Sequence, residues 1–153
     1  MNALKVLVVF GTLSTINAIN TFKDCGSVTG HINSITVTPC PSEPCALIRG
    51  TNVSVEIDFT ANEHSGKVTT SVHGIIAGIP VPFMSTDSCT AGNVQCPLAT
   101  QTHSIYTNYI PVLTIYPEIS LLVKWELKDE HDRDLVCFVM PATILDPSHQ
   151  AIG

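Results

Sequence analysis

From Val53 to Thr60 the chain alternates without a break: Val53, Val55, Ile57 and Phe59 are apolar, while Ser54, Glu56, Asp58 and Thr60 are polar. A period of two places the two sets on opposite faces of a strand, one for a core and one for water. A second run behaves the same way. Ile119, Leu121, Val123, Trp125 and Leu127 alternate with Ser120, Lys124, Glu126 and Lys128, and Leu122 alone breaks the pattern. Shorter apolar or alternating runs predict further strands over 32–37, 68–76, 103–106, 112–115 and 136–144. Between them lie segments rich in turn formers: 39–44, 62–66, 80–93, Pro117 and the acidic turn 129–134. No stretch sustains a helical period. The pattern predicts an all-β fold, an immunoglobulin-like β-sandwich of two antiparallel sheets with about seven strands.

The first 18 residues follow a different rule. Lys5 precedes an apolar run from Val6 to Phe10 that continues through Leu13, and small and polar residues lead to Ala18. This reads as a signal peptide, too short in its apolar part to span a bilayer, where about 20 residues are needed. The expected boundaries are therefore 1–18 for the leader and 19–153 for one domain, whose 135 residues suffice for a genuine core. No linker or internal repeat divides them.

The formal net charge of the whole chain is −6, and it becomes −7 without Lys5. An acidic surface repels phosphate backbones, which excludes nucleic acid as a natural partner. Composition adds a further point. Hydrophobic residues make up 44% and charged residues 13%, against about 25% charged in ordinary globular domains. The interior is large for the surface.

Six cysteines follow the leader: Cys25, Cys40, Cys45, Cys89, Cys96 and Cys137. In a secreted chain an even number points to bridges, although six thiols allow 15 pairings. Spacing narrows the choice. Cys40 and Cys45 are separated by Pro-Ser-Glu-Pro, and Cys89 and Cys96 by a turn containing Gly92, so each pair can close on itself and leave Cys25 for Cys137. That long loop would stabilise by about 4–5 kcal/mol on the chain-entropy account. The rival arrangement is a zinc site of Cys40, Cys45, Cys89 and Cys96, against which stand secretion and the missing short C-x-x-C spacing.

Catalytic signatures are missing. His31, His64, His73, His103, His131 and His149 lack metal-ligand spacing, and neither a nucleophile elbow nor a phosphate-cradling glycine loop occurs. Asp129 with Asp132 and Glu130 with Asp134 pair carboxylates, but in a polar turn that reads as a solvated hairpin tip. His73 sits inside an apolar strand, where a hydrogen-bonded structural role is expected. No enzymatic activity, cofactor or metal is expected. Asn52-Val53-Ser54 is the sole N-glycosylation sequon, at the start of a strand whose polar face includes Asn52.

One set of motifs carries a resemblance. Phe22-Lys23-Asp24-Cys25-Gly26-Ser27, Pro39-Cys40-Pro41 with Pro44-Cys45, His73-Gly74-Ile75, Gly78-Ile79-Pro80-Val81-Pro82-Phe83, Cys96-Pro97, Tyr116-Pro117 and Trp125-Glu126-Leu127 run in one order through nearly the whole mature chain. Together they resemble the Niemann–Pick type C2 (NPC2) family of ML, or MD-2-related lipid-recognition, domains. The resemblance implies a secreted or lysosomal carrier whose sheets part to admit a lipid, with bridges first-to-sixth, second-to-third and fourth-to-fifth. It assigns ligand contact to Phe83, Val112 and Tyr116, and membrane contact to the apolar loop 77–81 through Ile79 and Val81. The implied ligand is a sterol, a fatty acid or another small hydrophobic molecule such as a semiochemical, and the implied state a monomer, with a receptor or membrane transporter as a further partner. The alternative within the same resemblance is a protein that presents microbial lipid to a receptor. After Phe83 the family's proline-rich stretch is replaced by Met84-Ser85-Thr86-Asp87-Ser88, so the shape of the portal is expected to differ.

Overall fold

The computed structural model describes residues 18–149. The leader, apart from Ala18, lies outside the described residues. Nine strands form two sheets: β1 (Lys23–Asp24), β2 (Gly30–Thr38), β3 (Cys45–Ile48), β4 (Thr51–Ala61), β5 (Thr69–Ile76), β6 (Ile79–Asp87), β7 (Thr102–Val112), β8 (Ser120–Lys128) and β9 (Asp134–Leu145). One helical turn, α1 (Ser88–Ala91), follows β6, and a 3-10 turn (Pro147–His149) ends the described chain. The larger sheet runs β1-β9-β8-β5-β6, with β3 added parallel to β9, and the smaller runs β2-β4-β7. All other pairings are antiparallel, so the sandwich expected from the alternation is the fold.

β4 explains how the alternation becomes a core. Val53, Val55, Ile57, Phe59 and Ala61 are buried, and their polar neighbours face outward. On β8, Val123, Trp125 and Leu127 point inward, and Leu122, the residue that broke the pattern, is exposed on the outer face. Trp125 stacks on Phe138 with ring centroids 6.4 Å apart and meets Tyr106 edge-on at 6.0 Å. Those geometries favour the aromatic quadrupoles. The Tyr106 hydroxyl accepts from Thr70 (2.8 Å) and Asn108 (3.0 Å), and Thr70 bonds Ser88 (2.7 Å), which partners the buried hydroxyls of this cluster and leaves the Trp125 Nε1 without a partner. Burial pushes the Tyr106 hydroxyl above its ordinary pKa.

Several local readings change. Residues 80–93, expected to be loop, include most of β6. Pro80 and Pro82 are tolerated there because β6 is an edge strand, paired with β5 alone, so the missing N–H groups break no second ladder. The separate runs 103–106 and 112–115 are instead one strand, β7, that ends at Val112; beyond it Leu113 to Pro117 form loop. β1 and β3 are too short to carry a detectable period. The acidic turn is also less solvated than expected. Asp129 is buried, accepting the N–H groups of His131 and Arg133 (both 2.9 Å) and the Arg133 Nε (3.1 Å), and so it shapes the turn.

The bridges are Cys25–Cys137, Cys40–Cys45 and Cys89–Cys96, with no free cysteine among the described residues. The zinc alternative is thereby removed. The first bridge ties the amino-terminal segment to β9, beside the Cys25 N–H to Cys137 carbonyl hydrogen bond.

Candidate functional site

Phe83 owes its position to an irregularity in an edge strand. Along β5 and β6, Val72 pairs with Met84 and His73 with Pro82, which leaves Phe83 as the extra residue of a β-bulge. A bulge re-aims the side chain it carries. Here the ring turns between the sheets and meets Tyr116 with centroids 5.3 Å apart and planes tilted by 51°. Tyr116 comes from the loop joining β7 to β8, so the contact closes one end of the sandwich.

Behind the two rings lies a cavity with purely apolar walls. Val112 and Ile110 of β7 come from the smaller sheet; Val72 and Gly74 of β5, Leu121 and Val123 of β8, Ile144 of β9 and Leu47 of β3 come from the larger, and the two rings complete the lining. Phe83, Val112 and Tyr116, named separately in the sequence, thus border one space. Of the remaining apolar lining residues, Val72, Gly74, Leu121, Val123 and Ile144 fall on strands expected from the sequence and Leu47 and Ile110 on none, and alternation marks an inward face without saying whether that face is packed or hollow. His73 also borders the cavity, while its Nδ1 is buried without a hydrogen-bond partner.

The cavity measures about 20 Å³, room for about one water molecule. Small-molecule pockets hold roughly 300–1,000 Å³. In this conformation the large apolar side chains that border the space therefore nearly fill it. Collapse recovers the dispersion contacts that walls around a void would forfeit.

Arg49, which no motif singled out, anchors the Tyr116 side of the mouth. Its Nη1 donates to the Tyr116 carbonyl (3.0 Å) and its Nη2 to Asp146 (2.6 Å). Asp146 in turn donates its N–H to Glu118 at 2.6 Å. The Ser148 hydroxyl and N–H, followed by Arg49, hold the Asp146 carboxyl down at about 2. Glu118 is also lowered, by the Asp146 N–H and then His149.

Apolar side chains project to water on both sides of the mouth. Ile79 (64% exposed) and Val81 (43%) stand on the β5–β6 hairpin, and Leu113 and Ile115 stand on the loop that carries Tyr116. The hairpin turns through Ala77 and Gly78, both with positive φ (50° and 77°), the conformation that matches the twist of a two-residue hairpin. Ile79 is thus paired with Ile76 at the turn and held in the open. Asn52 is exposed on the outer face of the smaller sheet, opposite Pro111 and so one residue from Val112 in register.

Nothing catalytic is assembled among the described residues. Glu126, Asp134 and Cys137 bring potential metal-ligand atoms within 4.8 Å of one another, but Cys137 is bridged and Lys124 and Lys128 already flank Glu126 at 3.7 and 3.6 Å. Burial, then the contact with Glu126, raises Asp134 to about 7. Burial opposes ionisation of Glu126 too, but the hydrogen bond from Asp134 and the two lysines outweigh it and lower Glu126. Asp134 therefore pairs with Glu126 across the sheet, and not with Glu130 as the turn suggested.

The family profile of the ML domain matches residues 20–144. This chain belongs to the ML-domain family. Within it the chain falls among the Niemann–Pick type C2 proteins: it is 42% identical over 125 residues to the Bos taurus protein named NPC intracellular cholesterol transporter 2, covering 80% of this chain and 83% of that one. The crystal structure of a Niemann–Pick type C2 protein from the Japanese carpenter ant superposes with a TM-score of 0.77 at 30% identity, over 82% of this chain and all of that chain. Chicken MD-1, crystallised with lipid IVa, shares the ML fold at a TM-score of 0.54 and 17% identity, over 78% of this chain and 85% of its own. The family is one of lipid-binding proteins and not of enzymes. Among the described residues no helix of this ML domain is long and apolar enough to cross a membrane.

Proposed function

We propose that this chain binds a sterol or another small hydrophobic ligand between its sheets and carries it between membranes. The observation that carries the reading is the wholly apolar cavity bordered by Phe83, Val112 and Tyr116, closed by the Phe83–Tyr116 pair. A relative named as an intracellular cholesterol transporter supports it. The ligand enters by parting the two rings and displacing the β7–β8 loop, which opens the collapsed space. Burying roughly 500 Å² of lipid at about 25 cal/mol per Å² contributes on the order of 12 kcal/mol. Association costs of about 4 kcal/mol or more, and the work of opening the cavity, are set against that gain.

Ile79 and Val81 are the contact with a bilayer during transfer, since exposed apolar side chains on a rigid hairpin reach the interface without unfolding anything. The mature protein works as a secreted monomer, in extracellular fluid or the endosomal and lysosomal lumen. Presentation of a microbial lipid to a receptor is the second reading; the likeness to MD-1, at 17% identity, supports a shared fold only. Two measurements on protein purified from eukaryotic culture test the proposal: mass spectrometry of co-purifying lipids, and transfer of a fluorescent sterol or fatty acid between vesicles. A stoichiometric lipid and protein-dependent transfer are expected. A protein that neither holds nor moves any of these lipids refutes it.

A further inference from the structure

The outer face of the β2-β4-β7 sheet is hollowed into a trough of about 710 Å³, lined by Thr36, Thr38, Asn52, Ser54, Glu56 and Tyr109. Its floor is made of hydroxyls, an amide and a carboxylate, with one aromatic ring. The ring is conspicuous: Tyr109 is 63% exposed, and among the described residues it stacks on no other ring. In register Tyr109 lies opposite Ser54, and Asn52 opposite Pro111, so Tyr109 is the diagonal neighbour of the sequon asparagine on the same face. Diagonal pairs of this kind lie about 7–8 Å apart, within reach of an aromatic side chain.

We propose that an N-linked glycan on Asn52 folds back into this trough, with its first N-acetylglucosamine stacked on Tyr109. The chemistry fits at each point. One face of a pyranose ring presents C–H groups, which suit the electron-rich face of a tyrosine. Its hydroxyls and acetamide point sideways, toward Thr36, Thr38 and Glu56. Glu56 is exposed and without an ion-pair partner among the described residues, and an ionised carboxylate is an acceptor for sugar hydroxyls. The trough holds on the order of twenty waters' worth of liquid, which a lipid or an apolar peptide would displace without replacing their hydrogen bonds. A sugar replaces them. The covalent tether also makes docking intramolecular, so a weak stacking contact suffices. The inference rests on passage through the secretory pathway and not on lipid binding.

The test uses the full chain secreted from glycosylating eukaryotic cells as wild type, Tyr109→Ala, Tyr109→Phe and Ser54→Ala, the last abolishing the sequon while keeping Asn52. Mass spectrometry should find Asn52 occupied in the first three. In proton NMR, the acetyl methyl of the first sugar should be shifted upfield by the Tyr109 ring, with cross-relaxation to that ring; Tyr109→Phe should retain the shift and Tyr109→Ala abolish it. The glycan should raise the melting temperature relative to Ser54→Ala, a gain that Tyr109→Ala loses. An unoccupied Asn52, or an acetyl methyl at its free-glycan position in the wild type, overturns the proposal. Fluorescent-lipid binding is measured on the same samples: its loss with a stacked glycan would sink the proposed function alone.

Discussion

Phe83 and Tyr116 meet face to tilted face at 5.3 Å although one is the bulged residue of an edge strand and the other belongs to a loop between the two sheets. Neither position is locked by strand pairing on both sides. The pair can separate by movement of the loop and the edge, while the β4 and β8 core stays packed.

Truncating either ring should therefore harm binding more than folding. Phe→Ala in a packed core costs about 3–5 kcal/mol, but Phe83 and Tyr116 are only partly buried, packed against the outside of the core. Phe83→Ala and Tyr116→Ala should be secreted with their bridges intact and bind a fluorescent sterol or fatty acid at least about tenfold more weakly, a loss of about 1.4 kcal/mol. Trp125→Ala, fully buried between Tyr106 and Phe138, is the control and should impair secretion. Equal destabilisation by Phe83→Ala and Trp125→Ala, with affinity unchanged, would place the binding site elsewhere.

Gly74 offers the opposite manipulation. A Cβ there would stand 3.1 Å from Leu121 Cδ1, on the cavity wall. Its backbone φ lies outside the left-handed region, so a side chain is permitted. Gly74→Ala should leave the melting temperature unchanged or raise it, since alanine loses less chain entropy than glycine by about 0.4–1 kcal/mol. Gly74→Val should narrow the opened pocket and weaken sterol binding severalfold; titration with a fluorescent sterol checks this, and undiminished affinity would mean that the ligand does not reach β5.

Exposed apolar residues at the hairpin should matter for delivery alone. Ile79→Asp combined with Val81→Asp should slow lipid exchange between vesicles and leave equilibrium binding in solution nearly intact, because each carboxylate would have to be desolvated at the bilayer. Transfer at the wild-type rate would reduce the hairpin to a connection between strands.

Stability should respond to Asp134. Its carboxyl titrates near 7 when folded, against 3.8 as the ordinary value, so the folded chain holds a proton that the unfolded chain has released. The stabilising contribution is fully present below about pH 4 and is lost as pH rises through 7. Glu126 runs the other way: its lowered carboxyl contributes above its ordinary value of 4.5 and gives that up on acidification. Between pH 5 and 7.5 the Asp134 effect is the one that changes. Urea midpoints of the wild type should fall over that interval, and Asp134→Asn, whose amide donates to Glu126 at every pH, should flatten the slope. Parallel profiles would remove Asp134 as the source.

Alternation along the chain determined the inward and outward faces of β4 and β8, because the two-residue period is a property of an extended backbone and needs no partner to be legible. Cysteine spacing determined the two local bridges, since a loop of a few residues has few other places to close, and the motif order determined the family. Tertiary structure decided what those locally readable features could not contain. Pro80 and Pro82 became strand because β6 lies at an edge, a fact about neighbours. Asp134 found Glu126 across a strand pair, and Arg49 found Tyr116 and Asp146 across 67 and 97 residues. Whether the inward faces of two sheets meet as a solid core or leave room for a ligand depends on the small difference between the space they enclose and the side chains they send into it. That difference belongs to both sheets at once, so it is set by how they pack and by the bulge that turns Phe83 between them.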